Sequence, residues 1–254
     1  MSNFTQLSNL STKYVTDCIV SYGTVNTLTI GTGQCRDSTN TFDIVIASPL
    51  VISSLASASG LPNGLDTGTI AANTWYAVFA IFDPSNFVPV AGLISLSGTA
   101  PIMPSYNGVT YGAFRLLGWM RTNGSGNFLP ATITGNGNLR KHYWDAGISV
   151  LSAGAATTFA QVNCGGAAPS IDNIELTFDA SFTPAAAGNN VNFRPTTSTA
   201  TQVDGFTGTN AGVVQELQIK LLTKLSSNAP SLDYKNSAAG GSTTLFVRGF
   251  EYFI

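Results

Sequence analysis

The stretch GLDTGTIAANTWYAVFAIFDPSN, Gly64–Asn86, decides the fold class. Its apolar segment, Tyr76–Phe82, is apolar on both of the faces that alternate along an extended chain. Gly, Asp, Asn and Pro bracket the segment on each side, and these residues favour turns. An apolar run of this length between turn residues is typical of a buried β-strand, and it is far too short to span a membrane. We therefore predict a central strand at this position.

Turn signals divide the first 140 residues into short segments. Asn-Gly pairs suit the tight turns of β-hairpins, because both residues tolerate the positive φ angles that these turns need. The pairs are Asn63-Gly64, Asn107-Gly108, Asn123-Gly124 and Asn136-Gly137. This part of the chain is predicted to be a series of antiparallel strands. In one of them, FRLLGWMRT, simple alternation places Leu117 and Trp119 on the same face.

The second half of the chain alternates between apolar and polar residues. In IELTFDASF, Ile174–Phe182, every second side chain is apolar, as in a strand with one buried face. The segment VVQELQIKLLTK, residues 213–224, alternates in the same way over Leu217, Ile219 and Leu221, although a short helix is the alternative there.

The segment TTLFVRGFEYFI alternates in two registers. Leu245 and Val247 share a face, and after Gly249 the residues Phe250, Tyr252 and Ile254 take over. A glycine at the change of register indicates a β-bulge. We expect these three residues to lie within a sheet or at a subunit interface.

Together these patterns predict an all-β fold with two antiparallel β-sandwich or jelly-roll-like domains. The boundary is placed within LRKHYWDAG, which gives an N-terminal β domain over residues 1–142 and a C-terminal β-sandwich domain over residues 143–254.

Charge and composition exclude several functions. Only 9% of the residues are charged and the net charge is -2, so no basic surface for nucleic acid is expected. No segment is long and apolar enough for a membrane span. The N-terminal stretch MSNFTQLSNLSTKY lacks the basic and apolar regions of a signal peptide, so synthesis in a cytoplasm without export by the Sec route is expected.

Residues with catalytic chemistry are few. His142 is the single histidine, and it lies beside Tyr143 and Trp144, where a packing role is the simpler interpretation. Asp37, Asp66 and Asp83 stand beside turn residues and are expected to accept backbone hydrogen bonds. We predict no catalytic residue, no metal site and no cofactor, although paired carboxylates of a glycoside hydrolase remain a low-ranking alternative.

Three cysteines, Cys18, Cys35 and Cys164, fit no zinc or disulfide spacing. Buried free thiols are expected, and a Cys18–Cys35 bridge stays open if the strands that carry these residues pair.

Aromatic and basic residues crowd together at the predicted domain boundary. Arg140, Tyr143 and Trp144 are candidates for an interface or for a sugar contact, because such clusters are frequent in binding hot spots. Trp75 and Trp119 lie in strand-like stretches and are expected in the core.

Several stretches resemble structural proteins of tailed-bacteriophage virions, and the resemblance covers about residues 25–254. One set is a GLD-x-G turn, a Tyr-containing central strand, a Ser/Pro turn and a Leu-Gly strand before a hairpin. Here these positions are Gly64, Leu65, Asp66, Gly68, Tyr76, Ser97, Pro101, Pro104, Leu117 and Gly118. The other stretches are QCRDSTNTFDI from Gln34, ISVLSAGAATTFAQVNCGG from Ile148, FTPAAAGNNVNFRP from Phe182 and LFVRGFEYFI from Leu245.

The resemblance implies a non-enzymatic virion component, which acts as a capsid decoration or cement protein or as part of a collar or tail fibre. Its expected partners are copies of itself, as a homotrimer, and other capsid or tail proteins. The alternative is a receptor-binding tail protein that recognises a carbohydrate on the host surface.

Overall fold

The computed structural model describes residues 13–55, 58–200 and 202–254, and in these ranges the chain is all-β without an α-helix. The predicted fold class is therefore confirmed. Two compact units form. The first extends to Leu129 and adds Ile133–Arg140 and Ile254, and the second comprises Pro130–Thr132 and Lys141–Phe253. The prediction about a signal peptide rests on Met1–Tyr14, most of which lies outside the described residues.

Three small sheets and a hairpin build the first unit. A three-stranded sheet has the order β1-β4-β5, a second has the order β2-β3-β6, and a four-stranded sheet has the order β12-β8-β9-β7. The strands are β1 Val15–Asp17, β2 Val20–Thr24, β3 Thr27–Ile30, β4 Gly33–Arg36, β5 Asp43–Ile46, β6 Leu50–Ser53, β7 Gly64–Leu65, β8 Trp75–Phe82, β9 Ala91–Ser95, the hairpin β10 Ser105–Tyr106 and β11 Val109–Thr110, and β12 Ala113–Arg121.

Strand β8 is central, as the sequence predicted. It pairs antiparallel with β12 on one side and with β9 on the other. Tyr76, Val78 and Ala80 belong to one apolar core, whereas Ala77, Phe79 and Ile81 belong to another. The strand must be apolar throughout because each of its faces contributes to a separate core.

The second unit contains two antiparallel sheets. In one, β14, β22, β16 and β19 follow in this order, and β13 pairs with β14 as the fifth strand of the sheet; the other has the order β15-β21-β17-β18 with β20 also on β21. The strands are β14 Leu139–Gly154, which follows β13 Ala131–Asn136 after a tight turn, β15 Ala160–Asn163, β16 Glu175–Thr183, β17 Asn190–Pro195, β18 Asp204–Thr207, β19 Gln215–Leu222, β20 Lys224–Ser226, β21 Ala229–Asn236 and β22 Ser242–Phe253.

Alternation in β16 agrees with the sequence. Leu176, Phe178 and Phe182 are fully buried, whereas Asp179 and Ser181 on the other face are half-buried. Residues 215–222 form strand β19, so the helix alternative is excluded. Leu217 is nevertheless 41% exposed, because β19 is the edge strand of its sheet.

Among the described residues three strand pairs show a shift of register, β2-β3, β12-β8 and β16-β22, and the sequence predicted one of them. The register of β22 against β16 shifts between Val247 and Gly249, as the glycine indicated. A second shift lies in β12, between Leu116 and Gly118. This bulge turns Leu117 into one core and Trp119 towards the other, so the prediction that they share a face is wrong.

The Asn-Gly pairs have different roles. Asn107 and Gly108 have φ angles of 52° and 81° and form the tight hairpin turn between β10 and β11. Gly64 instead begins β7, which pairs parallel with β9, so the hairpin predicted there is wrong. An Asn-Gly pair indicates a local turn, but it does not determine which strand the following residues pair with. Within the described ranges, no helix has the length and apolar character of a membrane span.

Candidate binding face of the second unit

The single histidine has no access to solvent. His142 is completely buried, and its ring stacks on Phe250 with 4.5 Å between ring centroids and 14° between planes. Trp144 packs against it at 4.4 Å. Burial lowers the pKa of His142 to about 3, so the imidazole is neutral at physiological pH. The geometry supports the packing role that its sequence neighbours indicated.

Arg140 is also completely buried, so its expected exposure at an interface or sugar site is wrong. The guanidinium donates to the backbone carbonyl of Gly137 at 2.7 Å and to that of Asp17 at 3.0 Å. Further bonds go to the carbonyls of Leu139 and Leu117. A planar group with five N–H donors can hold several carbonyls at once, and the structure uses Arg140 in this way.

The other residues of the predicted aromatic cluster separate. Trp144 is 5% exposed and donates from Nε1 to the carbonyl of Ala167 at 3.0 Å, so its expected exposure is wrong as well. Tyr143 is 41% exposed. Successive side chains of a strand point to opposite faces, and this geometry sends Tyr143 outwards and its neighbours inwards. Trp75 and Trp119, expected in the core, are only half-buried.

Phe250 and Tyr252 lie within the sheet, 1% and 2% exposed, and therefore present no side-chain surface to a partner. Ile254 is half-buried and packs against a core of the first unit. The sequence left two alternatives for these residues, a position within a sheet or a subunit interface. The position within a sheet fits Phe250 and Tyr252.

The three turn carboxylates accept backbone hydrogen bonds, as predicted. Asp37 accepts from the amides of Thr41 and Phe42 at 2.6 and 2.7 Å. Asp83 is bonded to the amides that follow it, and Asp66 accepts from Ile102 at 3.0 Å. Within the described residues no three His, Cys, Asp or Glu side chains cluster in a way that could hold a metal ion.

The outer face of the sheet β14-β22-β16-β19 brings together accessible polar and aromatic groups. Eight of the chain's charged residues, which number 11 basic and 13 acidic, lie on it. The outer face is formed by Lys141, Tyr143, Asp145 and Gly147 of β14, Thr244, Phe246, Arg248 and Glu251 of β22, Glu175, Asp179 and Ser181 of β16, and Glu216, Gln218 and Lys220 of β19.

Ion pairs connect the side chains at one end of the outer face. Lys220 contacts Glu251 at 2.7 Å and Glu175 at 3.4 Å, and Lys141 contacts Glu251 at 3.1 Å. The hydrogen bond from Lys220 lowers the pKa of Glu251, so this carboxylate is charged at neutral pH. The four side chains link all four strands.

A cavity of about 390 Å³ lies at the other end, between β16, β19 and β22. Arg248 contacts Asp179 there, and the amide of Gln218 donates to the same carboxylate at 3.3 Å. Glu216 and the ring of Phe246, 39% exposed, complete the polar and aromatic lining. Small-molecule pockets usually measure about 300–1,000 Å³, so the cavity can take a small ligand.

Two glycines make room for these side chains. A Cβ on Gly147 would lie 3.3 Å from Nη1 of Arg248 and 3.3 Å from Cβ of Phe246. A Cβ on Gly249 would collide with the carbonyl of His142 and lie 3.1 Å from the ring of Tyr143. The bulge places Arg248 and Gly249 opposite one position of β16, which directs Arg248 outwards.

The sequence named one member of this face, Tyr143, and missed Phe246, Arg248 and Gln218. Alternation in β16 had already placed Asp179 on the polar face, and the glycine had predicted the bulge. Neither signal gives the order of strands in the sheet, and only that order brings residues 143, 179, 218 and 248 onto one surface.

Comparisons with known proteins identify no family. No protein-family model matches the chain, and no curated protein matches it. Among solved structures, a chain in the structure of infectious bursal disease virus, Gx strain, aligns with 94% of this chain and 70% of that chain. The identity is 14% and the TM-score is 0.20, which is too low to support an inference about fold or function. The resemblance to tailed-bacteriophage proteins stays a prediction from the sequence.

Proposed function

We propose that this protein is a non-enzymatic structural component of a bacteriophage virion. It assembles on the particle as a capsid decoration or cement protein, or as a part of a collar or tail fibre, and it does so as a homotrimer. Its site of action is the virion, after synthesis in the bacterial cytoplasm.

Exposed hydrophobic side chains and a low charge on the surface support this proposal. Eighteen large hydrophobic side chains are exposed among the described residues, including Phe87 at 79%, Ile102 at 61% and Leu96 at 60%. Charged residues make up only 9% of the chain, so few like charges keep copies apart. An all-β surface of this kind is suited to contact with other subunits, which also cover the edges of its sheets.

Purified virions of a phage that encodes this chain provide the test. We expect mass spectrometry to detect the protein in washed particles, and we expect a particle map to place it at a repeated position on the head or tail. Light scattering of the isolated protein should give the mass of a trimer. A stable monomer that is absent from particles and does not bind particles lacking it contradicts the proposal.

The outer face of the second unit favours a second function, which is recognition of a host carbohydrate. Sugars bind to exposed aromatic rings next to side chains that donate and accept hydrogen bonds. Phe246 and Tyr143 supply the rings, and Asp179, Gln218 and Arg248 supply the polar groups.

A glycan array with the full chain tests this second function. Phe246→Ala and Tyr143→Ala should each reduce binding at least tenfold, whereas Phe87→Ala, which removes an exposed ring from the first unit, should leave binding unchanged. If no glycan binds, or if all three variants bind alike, the second function is excluded. The structural function is tested separately, because particle assembly does not require the sugar site.

A further inference from the structure

Two thiols and two guanidinium groups cluster in the interior of the first unit. Cys18 and Cys35 are completely buried and belong to the same apolar core. Arg140 is completely buried and Arg115 is 5% exposed. The assembly role proposed above does not require this cluster, and the inference below is independent of that role.

The β1-β4 pair and the turn that follows it place Cys18 beside the strand that carries Cys35. In the β1-β4 pair, Val15 faces Cys35 and Asp17 faces Gly33. Beyond this pair the chain turns, because Asp17 and Cys18 have φ angles of 57° and 52°, a conformation that few residues other than glycine adopt. The thiol of Cys18 consequently donates to the carbonyl of Thr16 at 3.4 Å, and it interacts with the thiol of Cys35.

Gly33 is necessary for this arrangement. A Cβ at this position would lie 2.7 Å from Sγ of Cys18 and would collide with the carbonyl of Thr16.

The surroundings favour the thiolate of Cys18. The hydrogen bond from Cys35 lowers the pKa of Cys18, and the charge of Arg140, whose guanidinium binds the carbonyl of the neighbouring Asp17, lowers it further against the effect of burial. The same hydrogen bond and burial raise the pKa of Cys35. Cys18 is therefore the better nucleophile of the two, and Cys35 reacts second.

We propose that Cys18 and Cys35 form an oxidisable dithiol that closes to an intrachain disulfide on exchange with a small disulfide such as oxidised glutathione. The thiolate of Cys18 attacks one glutathione sulfur, which forms a mixed disulfide and releases one glutathione thiolate. Cys35 then loses its proton and attacks the sulfur of Cys18, and the second glutathione thiolate leaves. Two electrons pass from the cysteines to the glutathione disulfide.

Access to the thiols requires only local opening. Strand β1 has three residues and lies at the edge of its sheet, and its separation from β4 would expose both thiols together with Val15 of the same core. In a virion protein the disulfide would form after release from the reducing cytoplasm, where such bonds are rare.

The full-length protein is refolded in two samples, one with excess oxidised glutathione and one with reduced glutathione. Each sample is then quenched in acid, unfolded and alkylated, and its peptides are analysed by mass spectrometry. We expect a disulfide-linked peptide pair that contains Cys18 and Cys35, together with alkylated Cys164. The oxidised protein should melt about 5 °C higher than the reduced protein, because the bond shortens the unfolded chain.

Cysteine variants separate the roles of the residues. Cys35→Ala should retain glutathione on Cys18, Cys18→Ala should retain none on Cys35, and neither should show the rise in melting temperature. Cys164→Ala is the matched control, since Cys164 is equally buried but belongs to the second unit, and this variant should behave as the wild type.

Refolding approaches equilibrium from the unfolded state, so burial of the thiols cannot hide the result. If Cys18 and Cys35 remain fully alkylated in excess oxidised glutathione, the proposal is wrong. It is equally wrong if all three cysteines carry glutathione to the same extent. If one alanine variant fails to fold, the peptide analysis of the wild type still decides whether the proposal is correct.

Discussion

Arg140 and His142 lie two residues apart on β14, yet the two units bury them in opposite ways. In the first unit Arg140 keeps its charge and donates to four backbone carbonyls. In the second unit His142 is neutral and packs between the rings of Phe250 and Trp144. The charges of the second unit are instead prominent on the outer face of its sheet, in ion pairs such as Arg248–Asp179.

The difference shows which charged groups serve the fold and which are available to a ligand. A buried cation is tolerated only if its donors are satisfied, so removal of Arg140 leaves carbonyls unpaired. An exposed ion pair contributes little to stability, because water and salt screen it. An arginine is thus structural at position 140 and accessible at position 248.

The largest effect is expected for Arg140→Met, which keeps most of the side-chain volume and removes every donor. Each buried carbonyl left without a partner costs about 1–3 kcal/mol, so the loss of bonds to four carbonyls should lower the free energy of unfolding by at least about 4 kcal/mol. Chemical denaturation followed by circular dichroism measures the change. A loss below about 1 kcal/mol would remove the distinction between the units.

The next effect concerns His142 and pH. The pKa of this group is about 3 in the folded protein and about 6.5 in the unfolded chain, so only the unfolded chain binds the proton as the pH falls below 6.5. Stability should therefore decrease by about 1.4 kcal/mol per pH unit, or about 2 kcal/mol between pH 6.5 and 5. Carboxylates hardly titrate in this window, and the chain has one histidine.

Melting temperatures across this window, measured for the wild type and for His142→Phe, test the prediction. The variant should show a nearly flat profile because it has no group that titrates there. An equally steep profile in both proteins would mean that another group carries the proton.

A smaller loss is expected for Asp37→Ala in the first unit. Burial raises the pKa of Asp37, but hydrogen bonds from Thr39, Phe42 and Thr41 outweigh this effect and lower it. The contribution of the carboxylate is thus present above pH 4 and is lost as the pH falls below that value. We expect a loss of about 1–2 kcal/mol at pH 7, and little difference between variant and wild type at pH 2–3 if the proteins remain folded.

The smallest effect is expected for Arg248→Met, the matched counterpart of Arg140→Met on the outer face. Its ion pair with Asp179 is exposed, so stability should change by less than about 1 kcal/mol. Glycan binding should nevertheless decrease if the second candidate function is correct. A variant as unstable as Arg140→Met would show that the outer face is structural.

The sequence predicted best those features that depend on residues close together in the chain. The central position of β8 was predictable because seven consecutive apolar residues fit only a strand buried on both faces. Gly249 revealed its bulge because it marks a visible break in alternation. The bulge at Leu117 was missed, since alternation there continues across it, and Trp119 was consequently placed on the wrong face.

The sequence by itself determined an all-β fold, the buried strands and the turn carboxylates, because each depends on residues close together in the chain. It placed Arg140 and Trp144 at the surface, where the structure buries them, because composition does not reveal which face of a strand is covered. Only the tertiary structure decided the burial of Cys18 and Cys35 in one core and the convergence of Tyr143, Asp179, Gln218 and Arg248. Such groupings depend on strand order and register, which arise from contacts between segments far apart in the sequence.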